Sequence, residues 1–325
     1  MSTRATADSS PMPSLEWPDD PELGSGFGYK TLRFEDDYDG AVTATLVRNK
    51  PLVKASKPAI LYLHGFVDYF FQAHVARRFN DAGHNFYALD LRKYGRSLGK
   101  ARHPNICLGF EEYFPEITEA LQTIVHEGHA SVVLMAHSTG GLTAALYAKD
   151  GSNRRFITRI ILNSPFLAVP QAAVVAAVGA WIGKRWPFGD TDSRINEWYG
   201  KSLHKDYKGE WNFNMAFKPM AGFRAYFGWL RAVVLAQKRI EDGLGLPQPI
   251  LVMHSDKSAN DKQWSEKLHR ADLVLKVKDI KKLGPQLGPG VVLAEIPDGK
   301  HDLTLSCETP RELCLKTMVD WAGKT

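Results

Sequence analysis

Short apolar runs of β-type residues alternate with longer helix-like stretches between residues 29 and 163, and this alternation constrains the fold more than any other feature. The pattern is typical of βαβ units, in which each strand returns through a helix to a parallel neighbour. Each run ends in polar residues or glycine, as buried parallel strands do. The runs are AILYLHG at 59–65, HNFYALD at 84–90, SVVLMAHS at 131–138 and FITRIILNS at 156–164.

The rest of the chain extends this α/β pattern and interrupts it once. YKTLRFED and AVTATLVR, joined by the turn-prone DYDG, predict an antiparallel hairpin at one sheet edge. Residues 166–247 are rich in Trp and Phe and show few strand patterns, whereas strand-like and helix-like runs resume at PILVMHSD and continue to a closing helix. We therefore expect an α/β core of residues 29–165 and 248–325, with a helical cap inserted at 166–247.

The composition excludes several classes of protein. Among 325 residues, 44% are hydrophobic and 24% charged, which is typical of a globular chain and not of a disordered or fibrous one. The net charge is +5, but the basic residues are scattered without the interleaved aromatic residues that stack bases, so no nucleic-acid partner is expected. Three cysteines without C-x-x-C spacing indicate neither a disulfide framework nor a zinc site.

Two segments bear on the location of the protein. Residues 1–28 mix Ser, Thr, Pro and acidic residues without an apolar core, which predicts a flexible tail and not a secretory signal. FLAVPQAAVVAAVGAWIG at 166–183 is uncharged but rich in Ala and interrupted by Pro170, Gln171 and Gly179. A spanning helix needs about 20 strongly apolar residues, so we expect a buried or substrate-facing helix, no integral membrane span and a cytoplasmic protein.

The sharpest chemical signal is VVLMAHSTGG at 132–141, where a β-type run meets Ser138 and continues into the helix-like LTAALYAK. A serine nucleophile requires a tight turn from strand to helix so that its hydroxyl projects above the sheet, and small neighbours admit the strained backbone. Here the G-x-S-x-G pattern has Ala136 in place of its first glycine. The pattern predicts that Ser138 is a catalytic nucleophile.

With this motif the chain resembles the α/β-hydrolase superfamily, and within it the serine hydrolases grouped with lysophospholipases, monoacylglycerol lipases and serine aminopeptidases. Further landmarks of the resemblance are His64-Gly65 after a strand, DLRKYGRS at 90–97 and GKHD at 299–302. The resemblance extends from about residue 29 to the C-terminus. It implies the α/β-hydrolase fold, a mostly parallel sheet flanked by helices. Relatives usually have glycine where Lys93 stands.

A hydroxyl needs a base to remove its proton, and the family order is serine, acid, histidine. His301 fits the base, because it follows the last predicted strand in a short loop. The usual place of the acid is held by Ser258. Asp256 lies just beyond the strand PILVMH and is the preferred candidate; Asp261 and Asp279 are the alternatives, although Asp261 can equally cap a helix.

The resemblance also implies where the oxyanion and the substrate are bound. Two backbone N–H groups stabilise a tetrahedral oxyanion in such enzymes, and by resemblance these belong to Phe66 and Thr139. Asp68 and Tyr69, in the loop after Phe66, and His137, within the serine turn, are expected next to the substrate.

These features predict a serine-dependent hydrolase acting through an acyl-enzyme on a small carboxylic ester with an apolar acyl or alcohol part. The Trp and Phe residues of the cap would suit such a substrate, although most of them can equally form the core of the cap. No cofactor or metal is expected. The alternatives are a proline-iminopeptidase-like aminopeptidase, whose cap acids would be residues such as Asp190, Asp192 and Glu197, non-hydrolytic acyl transfer or cyclisation, and ligand binding without turnover.

Overall fold

A computed structural model describes residues 17–50, 52, 54–168, 181–191, 197–260 and 264–324. Within them, nine strands form one sheet in the order β1-β2-β3-β5-β4-β6-β7-β10-β11, while β8 pairs with β9 separately. The strands are Asp19–Asp20 (β1), Gly24–Asp37 (β2), Gly40–Asn49 (β3), Ala59–Leu63 (β4), Phe86–Asp90 (β5), Val132–His137 (β6), Ile157–Asn163 (β7), Asp190–Thr191 (β8), Ala225–Tyr226 (β9), Ile250–Ser255 (β10) and Val291–Ile296 (β11).

The sheet is mostly parallel, as the alternation in the sequence predicts. Neighbours from β5 through β4, β6, β7 and β10 to β11 all run parallel. The predicted hairpin is confirmed as β2 and β3, which pair antiparallel, and β3 joins the parallel strands by antiparallel pairing with β5. Every residue of β4, β5, β6 and β10 is buried, which explains why these runs are apolar at nearly every position before their polar ends.

Helices cover both faces of the sheet. The α-helices that lie wholly within the described residues include Ala73–Asp81 (α1), Phe114–His126 (α2), Thr139–Asp150 (α3), Glu197–Leu203 (α4), Phe227–Glu241 (α5), Val277–Leu283 (α6) and Glu308–Ala322 (α7). Short 3₁₀ turns are Gly95–Ser97, Phe110–Tyr113, Arg154–Phe156, Glu266–Arg270, Gly284–Leu287 and Leu303–Leu305. Apolar residues of α2, α3 and α5 pack in one buried cluster, and those of α1 and α7 pack in another. The two clusters form the core on either side of the sheet.

The prediction of a flexible tail as far as residue 28 was wrong for residues 17–28. Trp17 is only 5% exposed, and its indole N–H donates to Glu127 Oε1 at 3.0 Å. Asp20, in β1, accepts two hydrogen bonds from the guanidinium of Arg96, at 2.7 and 2.8 Å. The segment is therefore ordered by a buried indole and a buried ion pair, neither of which has a local sequence pattern. Residues 1–16 lie outside the described part of the chain.

We expect substitution of Arg96 to destabilise the fold strongly. Its guanidinium joins Asp20 to Asp90, and both carboxylates are buried. Arg96→Met leaves two buried carboxylates without their cation, so we expect the free energy of unfolding to fall by about 3–5 kcal/mol. Chemical denaturation measures this change. Arg78→Met is the matched control, because Arg78 pairs with Glu312 on the exposed surface and should cost less than about 1 kcal/mol. Equal losses would contradict the prediction.

Residues 166–247, here called the cap segment, leave the sheet after β7 and return before β10. The described part contains helical residues 181–185, α4, α5 and the two-residue ladder of β8 and β9, which the sequence did not predict. Its contacts with the sheet edge include Phe166, whose N–H donates to the carbonyl of Ser138 at 3.0 Å. The uncharged stretch at 166–183 lies mostly outside the described residues. Among the described helices, none has the length and apolarity needed to cross a membrane.

Candidate active site

Ser138 occupies the sharp turn between β6 and α3. Its φ of 52° lies in the left-handed region, which is strained for serine. The turn packs tightly against the loop after β4. A Cβ on Gly140 would lie 2.3 Å from the carbonyl oxygen of His64, and one on Gly65 would lie 3.0 Å from Cβ of Ser138. Glycine at these two positions therefore permits the close approach that places the serine hydroxyl above the sheet.

The Ser138 hydroxyl lies at one end of a chain of three buried polar groups. Ser138 Oγ donates to His301 Nε2 at 3.0 Å, and His301 Nδ1 donates to Asp272 Oδ2 at 2.9 Å. Ser138 is 7%, His301 2% and Asp272 0% exposed. Because the carboxylate faces Nδ1, the Nδ1–H tautomer is favoured, and Nε2 remains free to accept a proton. This arrangement can activate the hydroxyl as a nucleophile.

The expectation that Asp256 orients His301 was wrong in its geometry. Asp256 Oδ1 instead accepts from the backbone N–H of Asp298 at 2.8 Å, and its Oδ2 accepts from Lys257 Nζ at 3.2 Å. The loop after β10 thus directs this carboxylate towards the turn after β11, away from the imidazole. Asp279 lies in the first turn of α6, and Asp261 lies outside the described residues.

The fold brings Asp272 next to Ser258, the residue that stands at the usual position of the acid. Asp272 forms an isolated bridge with Ser258, the residue at that position, and its N–H donates to the carbonyl of Lys257 at 3.0 Å. Its Oδ1 accepts from the N–H groups of Val274 and Leu275, at 2.8 and 2.7 Å. The one sequence signal was an acid within the apolar run ADLVL, which indicates a buried and therefore partnered carboxylate.

The loop that carries His301 is also fixed by hydrogen bonds with the side chain of Asn163, the last residue of β7. Asn163 Nδ2 donates to Asp302 Oδ1 at 2.7 Å, and its Oδ1 accepts from the N–H of Leu303 at 3.2 Å. Asn163 therefore fixes the residues that follow the imidazole.

The two expected oxyanion donors belong to Thr139, directly after Ser138, and to Phe66, in the loop that packs against the serine turn. Thr139 is the first residue of α3, so its N–H has no acceptor within the helix. Phe66 follows Gly65, which packs against Ser138. The loop is supported by His64, whose Nε2 accepts from the N–H of Leu91 at 3.0 Å and whose Nδ1 donates to the Gly65 carbonyl at 2.8 Å. Burial lowers the pKa of His64, which favours the neutral ring that these bonds require.

The backbone conformation of the loop after β5 accounts for the glycine that relatives usually have at position 93. Lys93 has a φ of 64°, in the left-handed region where glycine pays no steric cost. Its Nζ pairs with Asp37 at 2.8 Å and lies 4.1 Å from the ring centroid of Tyr38. These two contacts hold the lysine side chain in this conformation.

The structure gives different surroundings to the three residues expected at the substrate. Asp68 is buried and pairs with Lys218 Nζ of the cap segment at 2.7 Å. Tyr69 is also buried, and its hydroxyl accepts from the N–H of Asn214 at 2.7 Å. Asp68 and Tyr69 thus have partners in the cap segment, and sequence patterns gave no indication of Lys218.

His137 lies beside the imidazole of His301. Its ring centroid is 4.8 Å from that of His301, and its Nδ1 donates to the carbonyl of Asn163 at 3.2 Å. Burial lowers the pKa of His137. A neutral His137 places no positive charge beside the imidazole of His301.

Aromatic side chains of the cap segment cover the site. The Trp229 ring stacks on that of Phe66, with centroids 4.2 Å apart. The Tyr199 ring approaches the imidazole of His301 edge to face, with centroids 5.6 Å apart. Aromatic rings of the cap segment thus pack on Phe66 and on His301, and Ser138 and His301 are largely shielded from solvent.

Asp68, His137 and Asp302 bring three ligand atoms within 4.8 Å of one another. Asp68 is neutralised by Lys218, and Asp302 already accepts bonds from Asn163, Gln72 and Thr304. A cation would have to displace the ammonium, so this cluster is a poor fit for a metal ion.

Comparisons with the sequences of known proteins give two matches that bear on the family and its relatives. The Hydrolase_4 family model, described as serine aminopeptidase, S33, matches residues 54–271 and so includes Ser138. A monoacylglycerol lipase from Mycolicibacterium smegmatis is 28% identical over 210 residues, which cover 61% of this chain and 69% of the relative.

Solved structures share the fold. A soluble variant of the monoglyceride lipase from Saccharomyces cerevisiae, in complex with a substrate analog, superposes with a TM-score of 0.66 at 15% identity and covers 90% of this chain and 95% of its own. A thermostable carboxyl esterase from Bacillus coagulans gives 0.63 at 14% identity, covering 90% and 97%. Such low identities support the architecture alone.

Proposed function

Because the chain belongs to the serine aminopeptidase S33 family of hydrolases, we propose that it hydrolyses carboxylic esters with an apolar acyl or alcohol part through an acyl-enzyme on Ser138. The observation that carries the proposal is the hydrogen-bonded chain from Ser138 through His301 to Asp272. Each group in it is buried and has the partner that nucleophilic catalysis requires.

In the proposed mechanism, the Ser138 hydroxyl attacks the ester carbonyl while His301 Nε2 takes its proton. Asp272 keeps the imidazole in the Nδ1–H tautomer and stabilises the imidazolium that forms. His301 then returns the proton to the leaving alcohol, which departs and leaves Ser138 acylated. Water attacks the acyl-enzyme with His301 again as base, and Ser138 regains its proton as the acid is released.

The oxyanion formed in each step needs donors that are in place before the reaction. The N–H groups of Phe66 and Thr139 are the proposed pair. The close packing of Gly65 and Gly140 around the serine turn supports this role, because Gly65 directly precedes Phe66 and Gly140 directly follows Thr139. Preorganised donors of this kind typically contribute about 3–4 kcal/mol each to the lowering of the barrier.

The surroundings of the site support an apolar ester as the substrate. The Tyr199 ring lies against the His301 imidazole, and the Trp229 ring stacks on Phe66, a proposed oxyanion residue. A relative of the chain is a monoacylglycerol lipase. An aminopeptidase would need unpaired cap acids to bind a substrate ammonium. Two of the three acids considered for this role are already paired: Asp190 with Arg224 at 2.9 Å and Glu197 with Lys201 at 3.0 Å. The third, Asp192, lies outside the described residues.

A chain-length series tests the substrate class. We expect kcat/KM for p-nitrophenyl butyrate to exceed that for the acetate by about tenfold, because each buried methylene contributes about 0.8 kcal/mol. Release of p-nitrophenol measures both rates, with Ser138→Ala as the blank. An alanyl p-nitroanilide should be turned over far more slowly than either ester. Faster hydrolysis of that amide than of both esters would refute the proposal and favour an aminopeptidase.

A further inference from the structure

Lys300 directly precedes His301 and connects its loop to the cap segment. The side chain is buried, with 3% of its surface exposed, and its Nζ donates to the carbonyl of Ser202 at 2.7 Å. Ser202 lies near the end of α4, where backbone carbonyls lack partners within the helix. On the other side, the N–H of Lys300 donates to Ser306 Oγ at 2.9 Å. Lys300 thus ties α4 to the loop that carries the imidazole.

The same helix places Tyr199 on His301. Ser202 Oγ donates to the carbonyl of Tyr199 at 2.8 Å, which joins the two contacts within one turn of α4. The Tyr199 ring meets the imidazole at an interplanar angle of 73°. A shift of α4 away from Lys300 would therefore move the ring that packs against the imidazole.

The setting of Lys300 is costly for a charged group. Among the described residues, no carboxylate forms an ion pair with its Nζ, so the buried ammonium is held by a neutral carbonyl. Burial lowers the pKa of Lys300 to about 8. A cavity of about 240 Å³ beside it is lined by Lys208, Gly209, Glu210, His269, Cys307 and Glu308. These include the titratable groups that face Lys300 from the neighbouring loops and from α7.

We propose that Lys300 is a positioning residue whose ammonium holds α4, and with it Tyr199, against the catalytic imidazole, and whose deprotonation weakens that contact. The inference rests on the proposed function of His301. A charged donor forms a hydrogen bond roughly twice as strong as a neutral one, so a neutral amine would hold the Ser202 carbonyl less firmly. We therefore expect activity to fall at alkaline pH because the Lys300 ammonium loses its proton.

The test is the pH dependence of kcat and KM for p-nitrophenyl butyrate between about pH 6 and pH 10, with the Ser138→Ala rate subtracted. The wild type should lose activity on the alkaline side with an apparent pKa near 8. Lys300→Met should lower kcat at neutral pH by about tenfold, the scale of one lost charge-assisted hydrogen bond, with KM within about twofold. Its profile should lack the alkaline loss.

Three further variants make the assignment specific. Lys300→Arg keeps its charge throughout this range and should recover part of kcat without a loss near pH 8. Lys208→Met and Cys307→Ser change exposed groups that line the same cavity, so both should keep the wild-type profile. Disappearance of the alkaline loss in Cys307→Ser, or a wild-type kcat and profile in Lys300→Met, would overturn the proposal.

The pH dependence of stability separates a loss of activity caused by deprotonation of Lys300 from one caused by unfolding. Because the folded-state pKa of about 8 is below the unfolded value of 10.5, the unfolded chain binds more protons at Lys300 between these pH values. The free energy of unfolding of the wild type should therefore rise with pH relative to Lys300→Met, while the wild-type kcat falls. A parallel fall of stability and kcat would contradict the proposal. Absence of both turnover and fluorophosphonate labelling in the wild type would instead refute the proposed function, and this inference with it.

Discussion

Asp272→Asn is expected to lower kcat for p-nitrophenyl butyrate by about 10⁴-fold, the scale seen when the orienting acid of a serine triad becomes an amide. An asparagine can present its NH₂ group to Nδ1 of His301 and so favour the Nε2–H tautomer. That tautomer cannot accept the proton of Ser138. The asparagine Oδ1 can still accept from Val274 and Leu275, as the aspartate does, so the loop and the fold should be retained.

Asp256→Asn is the matched control for that result. Asp256 is also an aspartate close to the end of β10, but its carboxylate binds the Asp298 N–H and Lys257 and not His301. We expect its kcat to stay within about threefold of the wild type, as for a partly exposed surface pair. Thermal unfolding of both variants shows whether either loss comes from folding. A severe loss in Asp256→Asn with a mild one in Asp272→Asn would transfer the orienting role to Asp256.

Ser138→Ala should lower kcat by about 10⁶-fold, because loss of the nucleophile disables the whole triad. The substitution removes one hydroxyl and leaves the backbone turn available, so the unfolding midpoint should change little. Steady-state p-nitrophenol release at high enzyme concentration measures the residual rate. Retention of more than a few per cent of kcat would show that the serine turn is not the reacting site.

Ser164→Ala provides a control with closely matched local structure. Ser164 follows the neighbouring strand β7, has a φ of 46° and is fully buried. Its hydroxyl has no hydrogen-bond partner among the described residues. We expect its kcat to remain within about twofold of the wild type, since surrounding groups lose no bond. If Ser164→Ala lost as much activity as Ser138→Ala, the loss in both variants would reflect a disturbed sheet edge and not the removal of a nucleophile.

The sheet could be predicted from the sequence because its strands are locally encoded. β4, β6 and β10 are apolar at nearly every position, and each ends where polar residues begin. The parallel strand order then brings their carboxyl ends to one edge. The positions of Ser138 and His301 at this edge were predictable for the same reason, since Ser138 follows the end of β6 and His301 lies in the short loop after β11.

Asp272 could not be found in this way, because its position depends on a long connection. The acid lies 17 residues beyond the end of β10, and backbone bonds to Lys257 and Ala259 return it to the sheet edge. Proximity along the chain favoured Asp256 instead. Trp17 and Arg96 illustrate the same limit, since their partners are 110 and 76 residues away in sequence. No local pattern encodes such pairings.

The most direct test of Ser138 as nucleophile is intact-mass analysis after reaction with a fluorophosphonate, followed by peptide mapping. In the wild type we expect one adduct per chain, mapped to Ser138, together with loss of esterase activity in proportion to labelling. Ser138→Ala should gain no adduct, while Ser164→Ala should be labelled like the wild type. An adduct that maps to another residue, or one that persists in Ser138→Ala, would contradict the account.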